Sequence, residues 1–570
     1  MKITAHYLMI LLVAIFPSNS LFSQVYAQDG MVVSSSEIAS AIGVEILENG
    51  GNAIDASVAT AFALAVTLPS AGNIGGGGFL VFMDTLGTAT TIDFREKAPL
   101  AASPTMFLNE EGELSVDTSH YGGLRTVNHV GAKSIGVPGT VAGLYLAHQR
   151  YGRLPWAILV QPAIDLANNG FPLTWNLYRA GTFFSAASPI PFLRAYFKKD
   201  DGEMTSFGEL WKQPELANTL TKIRDQGRDG FYKGFVAEEI VKFMEANGGI
   251  ITQADLDRYE AIERQPITGT FKDYDIYSMP PPSSGGVALV EMMNLMELAD
   301  LESIEFNSTE YFHLLAEVMR RAYADRAEHL GDIDFNPDLP LDHLISKAFA
   351  KKRFSSIDRS KASVSDSTRF GQMYDGTHTT HFSVMDKEGS AVSLTYTLEA
   401  GYGSGMGSEK LGFLFNNEMG DFNPQPGITT RTGQIGTDPN LIQPEKRMLS
   451  SMTPTIVAKD NKPYLVIGSP GGRTIINTVF QTTLNVLAYD MPVDKAIEAV
   501  KIHHQWLPDV IRYERHLLSP DTRQALEAMN HSLVPVRALG QLMGIQVDIQ
   551  NKVLIGAADS SALDGAAVGY

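Results

Sequence analysis

Apolar and polar positions alternate along residues 379–386 and again along 390–398, and Lys387, Glu388 and Gly389 between them suit a three-residue turn with glycine in the left-handed position. This predicts a β-hairpin. Counting outward from Asp386 opposite Ser390 places Val384 opposite Val392, Phe382 opposite Leu394 and Thr380 opposite Tyr396, which makes one largely apolar face. The other face pairs Met385 with Ala391, Ser383 with Ser393, His381 with Thr395 and Thr379 with Thr397, so it is small and mostly polar. A slip of one residue would scramble both faces; turn and pattern therefore agree on one register. Two threonine hydroxyls then sit side by side, an arrangement that is also ordinary in sheets.

Around this hairpin the pattern predicts a helix over 36–48 ended by Gly50-Gly51, and an alanine-rich helix over 52–66 stopped before Pro69. Gly75 to Gly78 lead into a strand over 79–83, and a second strand over 90–94 delivers Arg95 at its end. The four glycines suit a tight backbone turn and not a phosphate loop, since no Gly-Lys-Ser/Thr follows. Residues 134–359 alternate helical stretches with loops; the longest helix is expected over 311–328, and 279–286 form a stiff proline-rich loop before a helix near Val287. Residues 360–377 read as an exposed, mobile linker. Beyond the hairpin, 427–444 are polar and glycine-rich, long enough for a lid, and 452–459 with 462–468 form a further hairpin. Ser469-Pro470-Gly471-Gly472 then opens a helix over 473–489; these glycines either present N–H groups to an anion or oxyanion or serve a tight turn alone.

With 570 residues, 44% of them hydrophobic and 19% charged, the chain is globular, with one large core or two to three smaller ones. A formal charge of -19 argues against nucleic acid or an anionic membrane as partner. Lys2, an apolar run over 7–16 too short to span a bilayer, and Val25-Tyr26-Ala27 form a leader with processing after Ala27, so the mature chain is expected to begin at Gln28 without a stable membrane anchor. Export to a periplasm follows, with release into the medium also open. The absence of cysteine excludes disulfides and thiol catalysis. There is no Gly-x-Ser-x-Gly elbow and no His-Glu-x-x-His, and adjacent His503 and His504 cannot both face one metal from a regular element. Neither a metal nor a cofactor is expected.

In order and spacing, Thr379-Thr380-His381, Thr397, the run from Asn416 to Phe422, Leu449-Ser450-Ser451-Met452 and the run from Gly468 to Gly472 resemble the γ-glutamyltranspeptidase family. The likeness extends to Asp93-Phe94-Arg95-Glu96, to 280–286, to 503–508 and to the final Gly569-Tyr570. It implies an α+β fold, the αββα four-layer sandwich of the N-terminal-nucleophile hydrolases, made as a precursor that cuts itself between His378 and Thr379. The products would be a large subunit, 28–378, and a small subunit, 379–570, held as a heterodimer. By the same resemblance Thr379 is nucleophile and, through its freed amine, base; Thr397 stands beside it; and Gly471 and Gly472 form the oxyanion hole. Arg95, Ser450 and Ser451 would hold the α-carboxylate of a γ-glutamyl group, and Glu418 and Asp421 its ammonium. Donors would be glutathione and other γ-glutamyl compounds; acceptors would be water, amino acids or peptides.

Three positions depart from the family pattern. Glu399 stands where many members have asparagine, which adds a third carboxylate to the ammonium subsite; Thr432 stands where some bacterial relatives carry a gating tyrosine; and Asp559-Ser560-Ser561 replaces Asp-Pro-Arg. The alternatives are a related acylase for glutaryl side chains, a depolymerase of poly-γ-glutamate and, from a different class, a non-catalytic periplasmic binding protein.

Overall fold

The structure is a computed structural model that describes residues 24–117, 125–199, 201–365, 379–430 and 435–570. The apolar run 7–16, linker residues 366–377, His378 and Thr432 lie outside the described residues.

Two seven-stranded antiparallel sheets form the centre, their strands numbered here along the chain. Across the first sheet the order is Ala566–Gly569 (β14), Met31–Ser34 (β2), Thr379–Met385 (β8), Ala391–Thr397 (β9), Gly77–Met83 (β3), Ala89–Phe94 (β4) and Ile262–Arg264 (β5). Across the second it is Gln24–Ala27 (β1), Val553–Ala558 (β13), Met543–Asp548 (β12), Lys462–Gly468 (β11), Thr455–Lys459 (β10), Tyr274–Ser278 (β7) and Ile267–Phe271 (β6). Helices Glu37–Glu48 (α1) and Ala53–Thr67 (α2) share a core with one face of the first sheet. Gly285–Met296 (α3), Thr309–His329 (α4) and Thr474–Ala488 (α5) do the same for the second. A third cluster, including Val33, Val81, Met385, Ile456, Val466 and Ile545, fills the space between the sheets. The layers are thus α, β, β, α, as expected.

Local chemistry places the expected elements within a few residues of their predicted bounds. Ser36 caps α1 by accepting the Ala39 N–H, and Asn52 with Asp55 forms a capping box at the start of α2. The β8–β9 hairpin takes the expected register, from Met385 opposite Ala391 to Thr379 opposite Thr397. Its turn is closed by the Asp386 N–H on the Ser390 carbonyl at 3.1 Å, with Gly389 at φ +93°, where a side chain would be strained. Phe382, Val384, Val392, Leu394 and Tyr396 pack under the helices, and the Tyr396 hydroxyl donates to the Ala61 carbonyl at 2.9 Å. The polar face turns to the second sheet. There Ser393 donates to Ile467 at 3.0 Å, and Ser383 reaches the carbonyls of Val466 and Met543 at 3.2 and 3.1 Å. Serine suits this face because it fits between closely spaced sheets and satisfies carbonyls that face the interior.

At the N-terminus, Gln24–Ala27 pairs along its length with β13, and Ala27 is buried. A chain beginning at Gln28 would lack this edge strand. No helix among the described residues is long and apolar enough to cross a membrane. Of the departing triplet, Ser560 bonds the Glu498 carboxylate through its N–H and hydroxyl, both at 2.8 Å, and nothing in the structure links this to the site below.

Candidate active site

Thr379 opens β8 and Thr397 closes β9, so the register pair stands at the open end of the hairpin. Their hydroxyl oxygens are 3.2 Å apart, and the Glu399 N–H donates to the Thr397 oxygen at 2.8 Å. The four glycines that lead into and open β3 allow a close approach to this end. A β-carbon on Gly76 would stand 2.0 Å from the Thr397 carbonyl oxygen, which instead accepts the Asn73 side chain at 2.9 Å.

Beside the threonine pair lies a cluster of buried charges. Arg95, delivered by β4, places Nη1 2.7 Å from Glu418 and Nη2 2.5 Å from Asp421, with Glu96 at 3.5 Å. Glu418 and Asp421 bound one 3₁₀ turn, which brings both carboxylates to the same guanidinium. Burial disfavours the Arg95 charge, but Glu418, Asp421 and Glu96 outweigh it and hold its pKa above the ordinary value. Burial pushes Glu418 well up despite Arg95, and raises Glu96 to about 8. Glu399 completes the acidic side: its carboxylate accepts from Asn417 Nδ2 and lies 3.4 Å from His129 Nδ1.

Ser450 and Ser451 lie on a segment bridged to Ser283 and Ser284 of the proline-rich loop. The Ser450 hydroxyl accepts the Met452 N–H at 3.1 Å, and the Ser451 hydroxyl accepts from Arg326 at 3.1 Å. Gly471 and Gly472, at φ +137° and +58°, turn the chain from β11 into α5 with a backbone that side chains rarely adopt. The turn leaves peptide N–H groups at the start of a fifteen-residue helix, where negative charge is favoured.

Thr379, Thr397, Arg95, Glu399, Glu418, Asp421, Ser450, Ser451 and Gly472 all border one cavity of about 280 Å³; Gly471 does not border it. The loop expected as a lid contributes Ile435, Thr437 and Asn440 to the same wall, and its neck is closed by the Gly427 N–H on the Gly436 carbonyl at 2.8 Å. Sequence reasoning missed His129, Arg326 and Arg473, which also border the cavity. Arg326 is one of several charges on a long helix and carries no local mark. His503 and His504 are buried, bonded to Asn477 and Gln505 and to Asp509 respectively.

A pair of hydroxyls, a helix-start glycine turn and a guanidinium set among carboxylates can together receive an acyl donor with a zwitterionic head. The sequence profile of the family described as Gamma-glutamyltranspeptidase matches residues 39–570. The chain belongs to the γ-glutamyltranspeptidase family. A relative, the glutathione hydrolase proenzyme of Escherichia coli, is 43% identical over 96% of this chain and 93% of that protein. Among solved structures, the γ-glutamyltranspeptidase of Helicobacter pylori is 43% identical over 58% of this chain and 92% of that one, with a TM-score of 0.55. The cephalosporin acylase of Bacillus halodurans shares the fold: 24% identity, a TM-score of 0.81 and 99% of each chain covered. The sandwich is therefore that of the N-terminal-nucleophile hydrolases, and the chain is an enzyme of the γ-glutamyltranspeptidase family.

Proposed function

We propose that this enzyme is an exported γ-glutamyltransferase and glutathione hydrolase that first cuts its own backbone between His378 and Thr379. The observation that carries the reading is the place of Thr379: it begins a strand, its hydroxyl lies 3.2 Å from that of Thr397, and it borders the cavity that holds Arg95, Glu418 and Asp421.

In the precursor, the Thr379 hydroxyl oxygen attacks the carbonyl carbon of His378, the peptide nitrogen leaves as the α-amine of Thr379, and water opens the resulting ester. The amine so released, with an unperturbed pKa near ~8, then takes the hydroxyl proton during turnover. Attack on the γ-carbonyl of glutathione forms a γ-glutamyl ester on Thr379 and expels cysteinylglycine. Water completes hydrolysis; the amine of an amino acid or peptide completes transfer. The N–H groups of Gly471 and Gly472 stabilise the oxyanions of both steps. Because β8 lies between β2 and β9 in one sheet, the two pieces remain interlocked after the cut. That supports a heterodimer of large and small subunits.

The head group follows from charge. Arg95 with the hydroxyls of Ser450 and Ser451 suits an α-carboxylate, while Glu418, Asp421 and Glu399 gather three carboxyl groups beside it, acceptors suited to an ammonium. A glutaryl group has no ammonium to offer. Assaying γ-glutamyl anilide, glutaryl anilide and glutathione side by side tests this: the expected result is a strong preference for the two γ-glutamyl donors. Equal or better cleavage of the glutaryl donor would favour the acylase reading. Export keeps the leader as its support, with processing after Ala27 and a mature chain that begins at Gln28. N-terminal sequencing of the large subunit reads this directly.

A further inference from the structure

Arg326, on α4, is buried and borders the cavity. Its Nε donates to the Ser284 hydroxyl at 2.8 Å and its Nη2 to the Ser451 hydroxyl at 3.1 Å. Ser284 passes the restraint on. Its hydroxyl and its N–H both donate to the Ser450 carbonyl, at 2.6 and 2.9 Å, and the Ser450 N–H returns to the Pro282 carbonyl at 2.9 Å. The proline-rich loop is thus a brace behind Ser450 and Ser451. A guanidinium only donates, so it fills an acceptor position on the Ser451 oxygen and turns that hydroxyl's own hydrogen away from itself. Among the described residues no protein acceptor takes the Ser451 hydrogen, and none takes that of Ser450, whose oxygen accepts the Met452 N–H. Nor, among the described residues, does a carboxylate lie within ion-pair distance of Arg326; its hydrogen-bond partners are the two serines.

We propose that Arg326 is a positioning residue for the donor subsite: it presents the Ser451 hydroxyl as a hydrogen-bond donor to the substrate α-carboxylate and adds a positive charge beside it. The proposal rests on the γ-glutamyl reading above. Burial and the neighbouring Arg473 lower the Arg326 pKa to about 10 against the opposing pull of Tyr323 and Asp421, which leaves the side chain charged at neutral pH.

The test compares γ-glutamyl anilide with the same donor carrying an α-carboxamide in place of the α-carboxylate. A denaturing gel shows whether each variant still folds and processes. Wild type should favour the carboxylate donor strongly; if it does not, the γ-glutamyl reading fails and not the role of Arg326. Arg326→Gln should cut that preference about tenfold or more, through a higher KM for the carboxylate donor alone, as expected for loss of a charge-assisted contact. Arg326→Lys keeps the charge but cannot span both serines, and should cut the preference less. In a Ser451→Ala background the Arg326→Gln change should cost less, since the part of its effect that runs through that hydroxyl is already gone. Equal losses for both donors, with the preference unchanged, would mean a merely structural role and overturn the proposal. Should Arg326→Gln fail to fold, Arg326→Lys decides: a reduced preference upholds the role and an unchanged one overturns it.

Discussion

The hydroxyl of Thr379 donates to that of Thr397 across 3.2 Å, and the same Thr397 oxygen accepts the Glu399 N–H at 2.8 Å. Thr397 therefore holds the Thr379 oxygen at the mouth of the cavity while the backbone of Glu399 fixes Thr397. Thr397→Ala removes one neutral hydrogen bond, worth about 1 kcal/mol, so self-processing and kcat should each fall roughly 5–10-fold, and Thr397→Ser should retain most of both. Timed gels of precursor and steady-state kinetics check this; unchanged rates would remove Thr397 from the machinery.

Arg95 meets Glu418 through Nη1 and Asp421 through Nη2. A lysine ammonium cannot span the two. Arg95→Lys should raise KM for γ-glutamyl donors more than it lowers kcat, because the contact is made in ground and transition states alike. Arg95→Met leaves buried carboxylates without a counter-charge and should lower stability by about 3–5 kcal/mol, measurable by denaturant unfolding.

Glu399 borders the cavity and is held by Asn417 and His129. If its charge serves the substrate ammonium, Glu399→Gln should weaken γ-glutamyl donors several-fold and leave glutaryl analogues unaffected. A matched loss on both donor types would point to damage of the Asn417 and His129 contacts instead.

Glu96 gives a pH signature. Its carboxyl is buried, and burial outweighs the neighbouring Arg95 guanidinium and raises its pKa from an ordinary 4.5 to about 8. The folded state therefore holds this proton where the unfolded chain would release it; the contribution to stability is full below about 4.5 and is lost as pH rises through about 8. Wild-type Tm should fall as pH rises from about 4.5 to about 8 and level off above it, and Glu96→Gln should flatten that fall. Parallel curves for the two proteins would contradict it.

The hairpin was legible because its information is local: a glycine turn and alternation fix one register, and register alone brings Thr379 to Thr397. The Arg95 cluster was legible only through family motifs, since Arg95 and Asp421 are 326 residues apart and nothing in either segment names the other. The brace from Arg326 through Ser284 was not legible at all. Its parts look like a helix charge and loop polarity until α4 and the proline-rich loop pack against the same segment. The strand Gln24–Ala27 was hidden for another reason: Val25-Tyr26-Ala27 reads as a leader-cleavage pattern, and the strand it pairs with, β13, lies near the far end of the chain.

The central claim is that one hydroxyl, that of Thr379, performs both the cut and the turnover. Intact-mass spectrometry of the purified wild type beside Thr379→Ala, each then assayed with γ-glutamyl anilide, tests it most directly. The account predicts a wild type in two pieces, the smaller beginning at Thr379 and active, and a Thr379→Ala protein that stays in one piece without activity. A Thr379→Ala protein that still divides after His378 and still releases the anilide would contradict it.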